Sequence, residues 1–128
     1  MDLTLWILQG VLAFVMLLSG FMKLTNSNAD LIKRGNGRMD WADDMSAINM
    51  KLVGLVELLA AFGLTLPHLL DIVPVLTPIA AVGVVMTMFG ALSLHMKRGD
   101  GTEASFINFV ILFLAAFVAY GRFMLIPA

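Results

Sequence analysis

Apolar residues run almost unbroken through four stretches of the chain, residues 3–24, 47–66, 73–96 and 104–125, and the polar residues gather between them. Each stretch holds roughly twenty residues, which at about 1.5 Å per residue in an α-helix spans a hydrocarbon core about 30 Å thick. The runs are continuous rather than alternating, so they do not describe the strands of a membrane β-barrel. Short connections favour antiparallel neighbours. The pattern therefore predicts an all-α fold: an integral membrane antiparallel four-helix bundle, residues 1–128 forming one transmembrane domain without internal repeats.

Composition sharpens this picture. The 128 residues are 60% hydrophobic and 13% charged, with a mean hydropathy of +0.94, whereas a soluble domain is about a quarter charged. The first apolar run has no basic segment ahead of it, and Ser19-Gly20 leads straight into Phe21-Met22-Lys23 rather than a cleavage site, so it reads as a retained helix. Lys23, Lys33, Arg34, Arg38, Lys51, Lys97 and Arg98 fall on one side of the predicted bundle and Arg122 alone on the other. The positive-inside rule then puts the first and third connections in the cytoplasm and both termini outside. Trp6 and Tyr120 would mark the outer interface and Trp41 the inner one. A net charge of −1 gives no electrostatic basis for nucleic-acid binding.

The connections carry conventional signals. Residues 25–46 form the only long polar stretch, with the turn Gly35-Asn36-Gly37 and then Asp40, Asp43 and Asp44 ahead of the N-cap candidate Ser46. The three aspartates suit the start of the next helix better than a cation site. Pro67 is expected to end the second helix, Pro74 to open the third, and Pro78 to kink it. Lys97-Arg98-Gly99-Asp100-Gly101 reads as a tight turn.

Candidate chemistry rests on the few polar residues inside the apolar runs. Glu57 lies about ten residues, or roughly 15 Å, inside the second helix, where an ionisable group costs about 2.5 kcal/mol or more to insert. It shares a face with Gly54 and Ala61, which directs it into the bundle. Thr87 falls at similar depth as its expected hydrogen-bond partner, and no basic residue is level with it, so desolvation favours the neutral acid. Ser19 and Lys23 sit one turn apart, the lysine near the membrane edge where its stem can snorkel. Thr87, Ala91 and His95 share a stripe, and Asn108 lies on the small-residue face that continues through Ala115, Ala119 and Arg122. Ser19, Lys23, Glu57, Thr87, His95 and Asn108 thus collect in the cytoplasmic half, either as a polar pocket or as a network joining helices, while the outer half reads as nearly all apolar.

Other chemistries are disfavoured. With no cysteine there is no disulfide, thiolate metal site or thiol relay. His68 and His95 are expected at opposite membrane faces, too far apart to ligate one haem, and the ten scattered methionines suit gap-filling. Neither haem nor metal is expected.

Several segments together resemble the DoxX-like family of membrane proteins: Ser19-Gly20-Phe21-Met22-Lys23-Leu24, the run Lys51 to Leu59, Gly63-Leu64-Thr65-Leu66-Pro67, Leu76-Thr77-Pro78, His95-Met96-Lys97-Arg98-Gly99, and Ala119-Tyr120-Gly121-Arg122-Phe123. The resemblance covers essentially the whole chain. It implies a four-helix protein of a bacterial-type inner membrane, and it includes a small subunit of a thiosulfate:quinone oxidoreductase among its members. It supplies no set of catalytic residues. Three readings follow: an accessory subunit with a redox-protein partner and a quinone at its polar pocket; a non-enzymatic scaffold or assembly factor in the bilayer; and a small-solute carrier working as a homo-oligomer.

The charge asymmetry makes the topology testable. Single cysteines near Gly37 and Gly99 should resist an impermeant thiol reagent added outside the cell and react once the inner face is opened. Labelling of intact cells at both positions would reverse the orientation.

Overall fold

The computed structural model describes residues 1–100 and 102–127, the side chains of 102–104 excepted. In chain order the elements are α1 (Asp2–Thr25), α2 (Asn28–Gly35), a 3₁₀ turn (Asp40–Asp44), α3 (Ala47–Gly63), α4 (Leu66–Leu70), α5 (Leu76–Arg98), α6 (Thr102–Tyr120) and a π-helical turn (Gly121–Leu125). No strand occurs among the described residues. Gly101, assigned above to the third connection, lies outside them.

The four long helices form a closed ring in which α1 packs on α3 and α6, and α5 on α3 and α6. Direction is fixed by pairings along α1 and α3: Gln9 reaches the Leu64 carbonyl at one end, and Lys51 reaches the carbonyls of Lys23 and Leu24 at the other. We call the end holding α2 and the 3₁₀ turn the basic end and the other the terminal end. Leu12, Met16, Leu64, Val84, Met88 and Val118 fill the interior between them.

Outward faces are apolar throughout. Leu3, Phe14, Ile48, Leu59, Met86, Phe106 and Phe113 are all 59% or more exposed, a surface that water would penalise and lipid solvates. Four helical segments are long and apolar enough to cross a membrane. The chain is a multi-pass membrane protein.

Apolar burial contributes little to helix association in lipid, so close backbone contact matters more. It occurs where α1 crosses α3. A Cβ on Gly20 would lie 2.6 Å from the Gly54 carbonyl oxygen and 2.8 Å from the Leu58 nitrogen. A Cβ on Gly54 would lie 2.8 Å from Cβ of Lys23. This crossing brings the last turn of α1 against the middle of α3.

Two connections differ from the sequence reading. Residues 25–46 are not plain loop: α2 is capped by Ser27, whose side chain accepts from the Asp30 amide, and ends at Asn36 in the left-handed region with φ 51°. Leu31, Ala42 and Met50 are fully buried together, and Asn28 Nδ2 donates to the carbonyls of Ala42 and Met45, so the segment folds as a cap over the basic end. Ser46 does cap α3, accepting from the Asn49 amide at 3.1 Å. The second difference concerns proline. α3 ends at Gly63, Pro67 lies in the first turn of α4, and α5 begins only at Leu76. Pro78 therefore stands in the first turn of α5, where an amide has no intrahelical acceptor to lose and the expected kink has no cause.

Gly20→Ala is expected to destabilise the bundle. Its methyl group meets backbone atoms, which cannot rotate away, so overpacking of about 1–3 kcal/mol outweighs a helix-propensity gain of at most about 1 kcal/mol. A melting temperature in detergent equal to that of the unmodified protein would show that α1 and α3 cross less closely.

Candidate functional site

The Gly20–Gly54 crossing carries Lys23 into the bundle interior. Its Nζ lies 2.6 Å from Glu57 Oε1, an ion pair without hydrogen-bond geometry, and donates to Ser19 Oγ one turn back on α1. Only 11% of the Lys23 side chain and 3% of the Glu57 side chain are exposed. Two expectations are corrected here. Glu57 does have a basic partner, because α1 and α3 approach closely and the long lysine stem reaches inward instead of snorkelling. Thr87 is not its hydrogen-bond partner, since its hydroxyl donates to the Gly83 carbonyl of its own helix at 2.9 Å.

The cap closes over this pair. Lys23 Nζ stands 5.7 Å from the centroid of the Trp41 ring, within cation–π range. The same indole meets His95 edge-on, with ring centroids 6.2 Å apart. Trp41 is thus half-buried over the polar cluster, not an anchor in the headgroups. His95, at the last turn of α5, pairs through Nδ1 with Asp100 Oδ2 at 2.7 Å. Arg98 holds Asp100 through Nε and reaches Asp44 of the 3₁₀ turn through an Nη1 contact of 2.7 Å. The Asp100 carboxyl is held below the usual carboxylate range, chiefly by its hydrogen bond with His95 and then by Arg98.

Lys51 has a separate duty. Its ammonium donates to the carbonyls of Lys23, Leu24 and Asn26, at 2.9, 3.2 and 2.6 Å, satisfying the open end of α1. Of the six residues singled out by sequence, Ser19, Lys23 and Glu57 are in direct contact, and His95 adjoins them through Trp41. Thr87 is turned to its own backbone. Asn108 is half-buried on α6, and none of the hydrogen bonds among the described residues draws it to the pair. Sequence reasoning missed Trp41, Asp44, Arg98 and Asp100 as members of this cluster, because their convergence depends on a fold for the cap.

Nor is the opposite end nearly all apolar. Arg122 and Gln9 are buried there with 1% and 0% exposure, and Arg122 Nε donates to Gln9 Oε1 at 2.6 Å. Trp6 stacks on His68 with ring centroids 4.6 Å apart, and the guanidinium lies 5.4 Å from the Trp6 centroid. His68 and His95 occupy opposite ends of the bundle. A signal existed in Gln9, which shares a helical face with Leu5, Leu12 and Met16, as Arg122 does with Ala115 and Ala119. An open apolar groove of about 270 Å³ runs beside α4, lined by Phe62, Leu66, Pro67, Leu70 and Leu76 among others.

The sequence profile of the DoxX-like family matches residues 7–118. The chain belongs to the DoxX-like family. That match includes the whole of α3 and α5, with Glu57 and His95, and the part of α1 that carries Lys23. No curated protein and no solved structure matches the chain. For this DoxX-like protein the functional reading therefore stands on its own side chains.

A buried ion pair is costly to form and more costly to break, because removing one partner strands the other charge. Lys23→Met is expected to lower stability by about 3–5 kcal/mol, and a Lys23→Met/Glu57→Leu double variant to recover most of that loss. Melting temperatures of the two single variants and the double variant decide it, and strictly additive losses would mean that the groups do not interact. Glu57→Gln, harmless to a lone neutral acid, should also destabilise here.

Acid offers a second test at the edge of the cluster. The Asp100 carboxyl is depressed from 3.8, so its contribution to stability is complete above that pH and disappears as the pH falls through the lowered value. Asp100→Asn should flatten that part of the acid-melting curve. An unchanged curve would show that Asp100 is not paired.

Proposed function

We propose that this DoxX-like protein is an accessory subunit of a quinone-linked redox system in a bacterial-type inner membrane, with its basic end in the cytoplasm. On this reading a quinone headgroup is received at Ser19, Lys23 and Glu57, with His95 adjoining through Trp41 and with Thr87 and Asn108 contributed from α5 and α6. The single observation that carries the reading is the buried Lys23–Glu57 pair under Trp41. An intramembrane ion pair is costly and marks a functional site by default.

The residues suit such a guest. An ammonium has three N–H donors; Ser19 engages one of them and Glu57 lies against the ammonium as a charge partner, which leaves a donor to hold a carbonyl oxygen. Asn108 supplies a second donor from α6. Trp41 offers a flat face above the ammonium and, being part of the cap and not of a long helix, can move to admit a ring. Glu57 can exchange a proton with the bound oxygen. His95 and Asp100 continue from Trp41 toward the aqueous side, so protons need not cross lipid. The chain has no cysteine and no thiol relay, so a partner protein or a bound cofactor carries the electrons.

One observation favours the scaffold reading: Lys23 bonds to Ser19 of its own helix and pairs its charge with Glu57 of the next, as a contact that only joins helices would. Solvent extraction of the purified protein separates the two. Quinone should be recovered from the unmodified chain and lost from the Lys23→Met/Glu57→Leu double variant, whose melting temperature checks that it is folded. Absence of quinone from unmodified protein that carries a non-redox client would leave the scaffold.

A further inference from the structure

Arg122 is almost completely buried in the π-helical turn that ends α6, and two of its three nitrogens are committed. Nε donates to Gln9 Oε1, which is fixed in turn because Gln9 Nε2 donates to the Leu64 carbonyl at 2.8 Å. Nη1 donates to Asp2 Oδ1 at 2.7 Å and to the Ile126 carbonyl at 3.3 Å. Nη2 is buried and has no partner among the described residues. Two other buried polar atoms at this end share that condition, Nδ1 of His68 and Oγ1 of Thr77. His68 stacks on Trp6, which also touches the guanidinium. Thr77 lies in the first turn of α5, a helix that packs against the π-helical turn.

These atoms share a chemistry. Nη2 carries two N–H groups and cannot act as an acceptor, a threonine hydroxyl donates readily, and an imidazole nitrogen donates in one tautomer. The positive charge is also incompletely answered. Asp2, its one carboxylate partner among the described residues, has 57% of its side chain exposed, so water screens that attraction while the guanidinium stays buried. A negatively charged oxygen would satisfy both the open donors and the charge. We propose that the terminal end of the bundle is a second binding site, taking an oxyanion of the phosphate type as free phosphate or as a phospholipid headgroup. One ligand oxygen accepts from Arg122 Nη2, with Thr77 and His68 completing its surroundings. The Trp6–His68 stack forms the door, and Asp2, held on Nη1, is the carboxylate whose charge competes with the anion for the guanidinium.

The test uses the full chain in a maltoside detergent, which contains no phosphate. Calorimetric titrations employ inorganic phosphate, dioctanoyl phosphatidylglycerol, and dioctanoylglycerol as the phosphate-free control. Saturable binding of inorganic phosphate identifies a free anion, and binding of the phospholipid alone identifies a headgroup; each supports the site. Thr77→Val, which keeps the shape, and Arg122→Lys, which keeps the charge without Nη2, should each weaken binding by about tenfold or more. Asp2→Asn should tighten it by removing the competing carboxylate. No saturable binding of either phosphate compound, binding of dioctanoylglycerol as tight as that of the phospholipid, or affinities unmoved by these substitutions would overturn the proposal. If Arg122→Lys fails to fold, Thr77→Val and Asp2→Asn decide it.

Discussion

The close crossing of α1 and α3 at Gly20 and Gly54 is the constraint on which the rest of the structure depends. In lipid the helices gain little by hiding leucine from hydrocarbon, so backbone proximity and polar contacts must hold them together. The two glycines allow the proximity, and Lys23 and Glu57 supply the polar contact that it makes possible. A buried ion pair is weak support for stability compared with good apolar packing. Here the pair is covered by an aromatic ring and adjoined by a histidine–aspartate pair, and the proposed function supplies a reason for those groups at that depth.

Much of the bundle was legible in the sequence because uninterrupted apolar runs of helical length admit few other structures in a membrane. The inward faces were legible too: Gly54, Glu57 and Ala61 are buried on α3, and Phe106 and Phe113 of α6 point outward. Register between helices was not. Depth counted from each helix's own boundary put Lys23 at the membrane edge and Glu57 deep inside, and no count along one helix reveals how closely its neighbour approaches. The cap escaped notice for a different reason. α2 has only eight residues and a two-residue apolar face, Leu31 and Ile32, too short for periodicity to stand out. Its capping signals, Ser27 followed by Asp30 and the closing Asn36-Gly37, were present in the sequence.

The two ends of the bundle solve the same problem differently. At the basic end, charges are paired within the bundle and covered by a folded connection. At the terminal end, Arg122 is tied to Gln9 and Asp2 but keeps a buried donor open, and the covering is an aromatic stack rather than a folded segment. The four helices long and apolar enough to cross a membrane among the described residues thus hold polar chemistry near both ends while their middle remains a packed apolar core.

The central claim is that Lys23 and Glu57 meet inside the membrane. The most direct measurement is solid-state NMR on protein reconstituted in lipid, with ¹⁵N at lysine Nζ and ¹³C at glutamate Cδ. The chain has two glutamates, Glu57 and Glu103, so the contribution of Glu57 is isolated by difference from Glu57→Gln. The structure predicts strong dipolar dephasing between Lys23 Nζ and Glu57 Cδ, as a nitrogen–oxygen contact of 2.6 Å requires. Dephasing indistinguishable from that of the Glu57→Gln protein would mean that the lysine faces the headgroups and the pair does not form.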